Sequence, residues 1–249
     1  TAKLWDADSG QLLLTLSKGG APTDGFTGIA FSPNGEQIAT GGLDGTITLW
    51  DSKTGNILKT LIGHTNMVVG LVFSPDGKQL ASTGTDKTLR FWQVSDGRLT
   101  KTFTNPAWLT GVAYRPDGKQ IAAGSDDHHI YLWDVATGRS QTRLQGHSAG
   151  VVSIAFSPDG NQLISGDDKG ALRLWDLSDG SSQPFGEHSR RVYRVAFSPQ
   201  GDQIASTSAD GRALLWGLDA KVQHALQGHS EEINHIAYSD NGKQVVTSG

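Results

Sequence analysis

The chain has 249 residues, enough for one large all-β domain or two small ones. It has no cysteine, which excludes disulfides, thiolate nucleophiles and Cys-based zinc sites, and its net charge of −4 argues against the strongly basic face of a generic nucleic-acid binder. No apolar run approaches the roughly 20 residues of a membrane-spanning helix, and a chain that opens on Thr1 with no signal peptide is expected to be a piece of a longer, cytoplasmic protein.

Taken in chain order, the sequence keeps one beat. Trp5 returns as Trp50, Trp92, Trp133, Trp175 and Trp216, at spacings of 41 to 45 residues. Phe31-Ser32-Pro33-Asn34-Gly35 returns as Phe73-Ser74-Pro75-Asp76-Gly77, and again in variant form near Tyr114, Phe156, Phe197 and Tyr238. Each copy is a turn with a mechanism: proline presets φ, Asp or Asn tolerates the bend, and glycine supplies φ > 0. Within the Trp92 repeat, residues 68–73, 79–82, 88–92 and 99–103 alternate or run apolar between such turns, which predicts four short strands. No segment shows a sustained helical period. Four-stranded units of about 40–45 residues are the signature of propeller blades, because stacked sheets bury faces that a single small sheet leaves open.

The pairs Trp5-Asp6, Trp50-Asp51, Trp133-Asp134 and Trp175-Asp176, together with Gly63-His64, Gly146-His147 and Gly228-His229, resemble the two ends of the WD40 repeat. The resemblance covers the whole chain, with the dipeptide degraded at Trp92-Gln93 and Trp216-Gly217. It implies a single all-β WD40-type β-propeller domain over residues 1–249. That domain would hold six repeat-equivalents of four antiparallel strands, closed by shared N- and C-terminal strands. The alternative is a slice of a seven-bladed or longer array. The strong likeness among repeats resembles bacterial WD40 arrays, which sit beside effector domains in longer chains.

WD40 blades carry a structural chain of His, Ser or Thr, Asp and Trp. Transferred by position, one set is His64, Ser82, Asp86 and Trp92, and a second is His188, Ser206, Asp210 and Trp216. The Trp175 repeat keeps His147 and Ser165 but has Lys169 where the Asp belongs, with Asp168 one step early. The Trp133 repeat has Asn105 and Ala123 in the His and Ser slots, and the Trp50 repeat has Thr40 and Asp44 but no His. Weaker or rearranged networks are expected in these three. A His–Asp–Ser trio that recurs blade after blade reads as structure rather than as a catalytic triad.

Other motifs fit bland readings. Gly146-His147-Ser148-Ala149-Gly150 matches a nucleophile elbow, but no helix follows. Asp126-Asp127-His128-His129 lies in one turn, where adjacent side chains diverge, so no metal site is expected. No catalytic residue and no cofactor is assigned.

By the resemblance, partners bind at the rim of one face. The third and fifth positions after the Gly-His histidine, and the residue before the turn Asp, place Met67, Val69, Trp108, Thr110, Asp126, Arg191, Tyr193, Glu232 and Asn234 there. Trp108 is the one tryptophan off the repeat beat, and Trp, Tyr and Arg are enriched at binding hot spots. The expected function is a non-catalytic scaffold or sensor that binds a protein or peptide, with neither nucleic acid nor membrane as partner. The alternative is a propeller enzyme or small-ligand binder with a site in the central channel.

Overall fold

The computed structural model describes residues 1–6, 9–19 and 25–249. Every regular element among them is a β-strand. The chain packs as two compact units, Thr1–Leu109 and Thr110–Gly249.

In the first unit, β1 (Ala2–Trp5) and β2 (Leu12–Leu16) form a two-stranded antiparallel sheet. A four-stranded sheet follows, made of β3 (Phe26–Phe31), β4 (Gln37–Gly42), β5 (Ile47–Asp51) and β6 (Ile57–Leu61). The next comprises β7 (Val68–Phe73), β8 (Gln79–Gly84), β9 (Thr88–Gln93) and β10 (Leu99–Thr104). Strand order follows chain order in both, as tight hairpins demand.

The second unit begins within β11 (Leu109–Tyr114), which forms a sheet with β12 (Gln120–Ser125), β13 (His129–Asp134) and β14 (Ser140–Gln145). Two more four-stranded sheets follow. One holds β15 (Val151–Phe156), β16 (Gln162–Asp167), β17 (Ala171–Asp176) and β18 (Ser182–Glu187), the other β19 (Val192–Phe197), β20 (Gln203–Ser208), β21 (Ala213–Gly217) and β22 (Val222–Leu226). β23 (His235–Tyr238) and β24 (Val245–Ser248) end the chain as a two-stranded sheet. Among the described residues the repeat is therefore realised as five four-stranded sheets and two two-stranded ones.

Sheets pack face to face, so the middle strands are buried on both sides and read as apolar runs. In the first unit, Leu61, Leu49 and Ile47 meet Val68, Leu71, Leu80 and Trp92 across one seam. In the second, Leu132 and Leu144 meet Val151, Ile154 and Trp175, while Leu174 and Phe185 meet Val192, Val195 and Trp216. The Ser-Pro-Asp-Gly turns are self-satisfied. The Ser74 hydroxyl donates to Asp76 (2.6 Å) and accepts from the Gln79 amide (2.9 Å), and Gly77 takes φ 70°.

The first strand of a sheet carries a β-bulge. The register slips between Phe26 and Gly28, Val68 and Gly70, Val151 and Ser153, and Val192 and Arg194. Thr27, Val69, Val152 and Tyr193 therefore drop out of the ladder, and their side chains are re-aimed. These are the fifth positions after the Gly-His histidine slot.

Candidate functional site

The histidines, serines and aspartates form the buried part of the site. In the Trp92 sheet the indole N–H of Trp92 donates to the Ser82 hydroxyl (2.8 Å), which lies 2.7 Å from His64 Nε2. His64 Nδ1 lies 2.9 Å from Asp86, which also accepts from the Thr88 hydroxyl and the Thr65 amide. With the Ser82 lone pair taken by the indole, its proton goes to Nε2 and Nδ1–H faces the carboxylate, so every buried polar atom has a partner. His188, Ser206, Asp210 and Trp216 repeat this arrangement at 2.7 to 3.1 Å. Ser82, Ser165 and Ser206 are fully buried, so no substrate reaches these trios.

Burial pushes the His64 and His188 imidazoles below their usual pKa, against the opposing pull of Asp86 and Asp210. Burial alone would raise the Asp210 carboxyl. The Ser189 amide and Arg212 outweigh it and hold Asp210 down to about 2.

The departing repeats rearrange in distinct ways. In the Trp175 sheet neither Asp168 nor Lys169 fills the slot. Asp167, the last residue of β16, reaches His147 Nδ1 at 2.9 Å and accepts from the amides of Lys169 and Ala171. His147 Nε2 and the Trp175 indole then meet Ser165 at 2.6 and 2.8 Å. The geometry explains the swap. At the equivalent Gly84, a Cβ would sit 3.0 Å from His64 Nδ1 and 3.1 Å from Asp86 Oδ1. Strand end and turn aim at one spot, and either can hold the carboxylate. This network is rearranged, one of the two outcomes expected for that repeat, with Asp167 rather than Asp168 holding the histidine.

In the Trp50 sheet the indole donates to Thr40 (2.8 Å), and the Lys18 ammonium lies 3.4 Å from Asp44. In the Trp133 sheet the Tyr131 hydroxyl donates to Asp127 (2.7 Å) and the Tyr131 ring stacks on Trp133 with centroids 5.7 Å apart. Asn105, in the histidine slot, donates to the Ala107 carbonyl of its own loop. Asp126 lies beside Gly150 while Asp127 turns to Tyr131, and among the described residues no group of three His, Asp or Glu side chains could hold a metal ion.

The family model described as the IFT122 first beta-propeller matches residues 1–249. The chain belongs to this β-propeller family. The WD repeat-containing protein VIP3 of Arabidopsis thaliana is 38% identical over 79 residues, covering 28% of this chain and 24% of that relative. The match thus spans about a quarter of the relative's length. VIP3 is a plant protein, and neither match supports the likeness to bacterial arrays.

On this propeller the residues expected at the rim fall into two groups, one in each unit. In the first unit, Trp108 is 50% exposed, while Met67 and Val69 are partly buried. In the second unit a chain of contacts links Asp168, Arg191, Tyr193 and Glu232, and Asp126 stands across Gly150 from Asp168. Gly150 separates Asp126 from Asp168: a Cβ there would lie 3.1 Å from Asp126 Oδ1 and 2.9 Å from Asp168 Oδ2. Arg191 binds Asp168 at 2.7 Å and lies over the Tyr193 ring at 5.7 Å, and the Tyr193 hydroxyl donates to Glu232 at 2.5 Å. The hydrogen bond to Glu232, with burial second, raises the Tyr193 pKa.

Asn234 is exposed, and its amide donates to the Ser248 carbonyl. Thr110 is turned to another use, its hydroxyl donating to the Val151 carbonyl of the next sheet, as Thr27 donates to Val68 in the first unit. Position in the repeat sets Arg191 against the acidic pair Glu231-Glu232, whereas its carboxylate is Asp168. The signal lies in the extra Asp of Asp167-Asp168, which leaves one carboxylate for the histidine and a second for the rim.

Proposed function

We propose that this propeller domain is a non-catalytic protein-interaction module that holds a protein or peptide partner along the rim of its sheets, within a longer cytoplasmic protein. The observation that carries the reading is the strip Asp126–Asp168–Arg191–Tyr193–Glu232, which crosses four successive sheets of the second unit on side chains aimed outward by turns and a bulge. Arginine held over a tyrosine ring and paired with a carboxylate is pre-organised, a condition under which such residues become binding anchors. The buried histidine trios support a non-catalytic role, since their hydroxyls are committed to indoles.

The test begins with a photo-crosslinking amino acid at position 193 to capture the bound protein, followed by its identification and purification. Affinity is then measured by calorimetry. Arg191→Ala and Tyr193→Ala are each expected to weaken binding by roughly 30-fold or more, the hot-spot range. Trp108→Ala probes the first unit separately, with a loss of affinity expected and little loss of stability. Unchanged affinity in all three variants overturns the reading.

A further inference from the structure

The sixth position after the Gly-His histidine slot runs Gly28, Gly70, Gly111, Ser153, Arg194 and His235, third in its strand in the first five and the opening residue of β23 in the last. Early in this series there is no room for a side chain. A Cβ on Gly28 would lie 3.0 Å from the Val69 carbonyl oxygen, and one on Gly111 would lie 2.7 Å from that of Val152. Their neighbours on the second strand are equally tight. Gly41, beside Gly28, would bring a Cβ to 2.7 Å from Val68, and Gly166, paired with Ser153, would drive one into the Val192 side chain. Ser153 is itself used, its hydroxyl accepting from the Val195 amide at 3.1 Å. These positions therefore face the next sheet and bring it close.

At the seam between β19–β20 and β23 the pattern breaks. Arg194 stands in the glycine position and pairs across the ladder with Thr207, so both side chains occupy the face that elsewhere meets the next sheet. That sheet presents His235 at the matching place. Ile233 and Ile236 of this strand region pack on Ala205 and Ala213, which fixes it against β20 and β21. Arg194 is half-buried and His235 is exposed, so the seam opens to solvent on the histidine side. Among the described residues, no hydrogen bond or ion pair is made by the Arg194 guanidinium or the His235 ring. The Thr207 hydroxyl is fully buried and also has no partner. Three donors thus share a seam with no carboxylate to answer them. Two other partly buried arginines do have partners: Arg90 has Asp86 at 3.6 Å and the Thr88 hydroxyl at 3.0 Å, and Arg173, over the Trp175 ring, donates to the Ser182 hydroxyl at 3.0 Å.

We propose that Arg194, His235 and Thr207 form an oxyanion-binding site in this seam, for a carboxylate or a phosphate group. A planar guanidinium takes two oxygens of such a group, and the imidazole and hydroxyl supply a third and fourth donor. Burial pushes the Arg194 guanidinium below its ordinary pKa. A charge kept partly desolvated and unpaired is costly to the fold, and cost of this kind is retained where a ligand supplies the missing partner. Arg194 follows Tyr193 directly and His235 comes three residues after Glu232, whose carboxylate is taken by the Tyr193 hydroxyl, and the site does not depend on a partner docking at the rim.

The test uses the full chain and two probes, inorganic phosphate and an N-acetylated, C-amidated peptide with a single glutamate. Binding is read by NMR at the Arg194 Nε–H and the His235 ring. Saturable shifts with either probe are expected in the wild type, and the probe that saturates at lower concentration identifies the source of the oxyanion. Arg194→Gln is expected to abolish saturation while raising Tm by about 2–4 °C, the response to removing a desolvated unpaired charge. Thr207→Val, close in shape, is expected to weaken binding about threefold. Lys221→Gln, on an exposed pair with Asp219, is expected to change nothing. Absence of saturation with both probes in the wild type overturns the site, as does undiminished binding in Arg194→Gln and Thr207→Val. Unchanged partner affinity in the rim variants with saturable phosphate binding at Arg194 means the rim reading fails and the site stands, and the reverse pair of results means the site fails and the rim reading stands.

Discussion

The Trp92 and Trp133 sheets share strand lengths and strand order, yet they hold their tryptophans differently. The first threads a buried chain from indole through Ser82 and His64 to Asp86. The second has Ala123 and Asn105 in those slots and stacks Tyr131 on the indole instead, with the phenol tied to Asp127. Both tryptophans are almost wholly buried. The fold thus needs the aromatic volume at this position, while the polar chain is one of several ways to satisfy what surrounds it. What the polar chain adds is a neutral histidine enclosed by protein, and with it a dependence on pH.

The largest expected effect comes from removing the volume itself. Trp92→Ala should cost about 3–5 kcal/mol in urea unfolding, as for other large core truncations. Trp5→Ala, in the two-stranded β1–β2 sheet where the ring is 53% exposed, should cost under about 1 kcal/mol. Equal costs would break the claim that buried volume at this slot governs stability.

Next comes the polar chain. Ser82→Ala strands the Trp92 N–H and a His64 ring nitrogen in the interior, and should cost about 1–3 kcal/mol. Tyr131→Phe keeps the stack and loses one bond to a half-exposed carboxylate, and should cost about 1 kcal/mol or less by the same measurement.

The third prediction concerns pH. His64 and His188 titrate lower in the folded state than in the unfolded chain, so the unfolded state binds more protons once the pH falls below about 6.5. Stability should therefore fall as pH is lowered through 6.5 toward 5, read as a declining Tm. His64→Gln and His188→Gln should flatten that decline, whereas a variant in the Trp133 sheet should leave it unchanged. A second loss should appear between about pH 4 and 2, because the Asp210 carboxyl is held down to about 2 and its contribution vanishes as it protonates.

The smallest effect is at the rim. Arg191→Ala breaks an exposed pair with Asp168 and should shift stability by no more than about 0.5 kcal/mol, so a loss of partner binding in that variant reports on the interface rather than on the fold.

Much of this organisation is legible in the amino-acid sequence. The tryptophan beat and the Ser-Pro-Asp-Gly turns locate the strands, with 68–73 and 88–92 differing from β7 and β9 by at most a residue. The His64 and His188 chains lie at regular offsets. Less legible is Asp167, because a one-dimensional alignment scores the slot, whereas the histidine selects whichever carboxylate arrives within reach of Nδ1. Thr110 likewise looks like a rim residue by position, although its hydroxyl serves the neighbouring strand.

The order of residues alone sets the number and kind of elements, since period-two apolar patterning and turn chemistry are local properties of the chain. Which polar side chains satisfy one another is settled only when the sheets come together. Arg191 takes Asp168, Tyr193 takes Glu232, and Arg194, Thr207 and His235 are left in one seam without a carboxylate. Pairing across sheets depends on distances between segments 23 to 42 residues apart in the chain, and those distances follow from packed side-chain volume rather than from spacing in sequence.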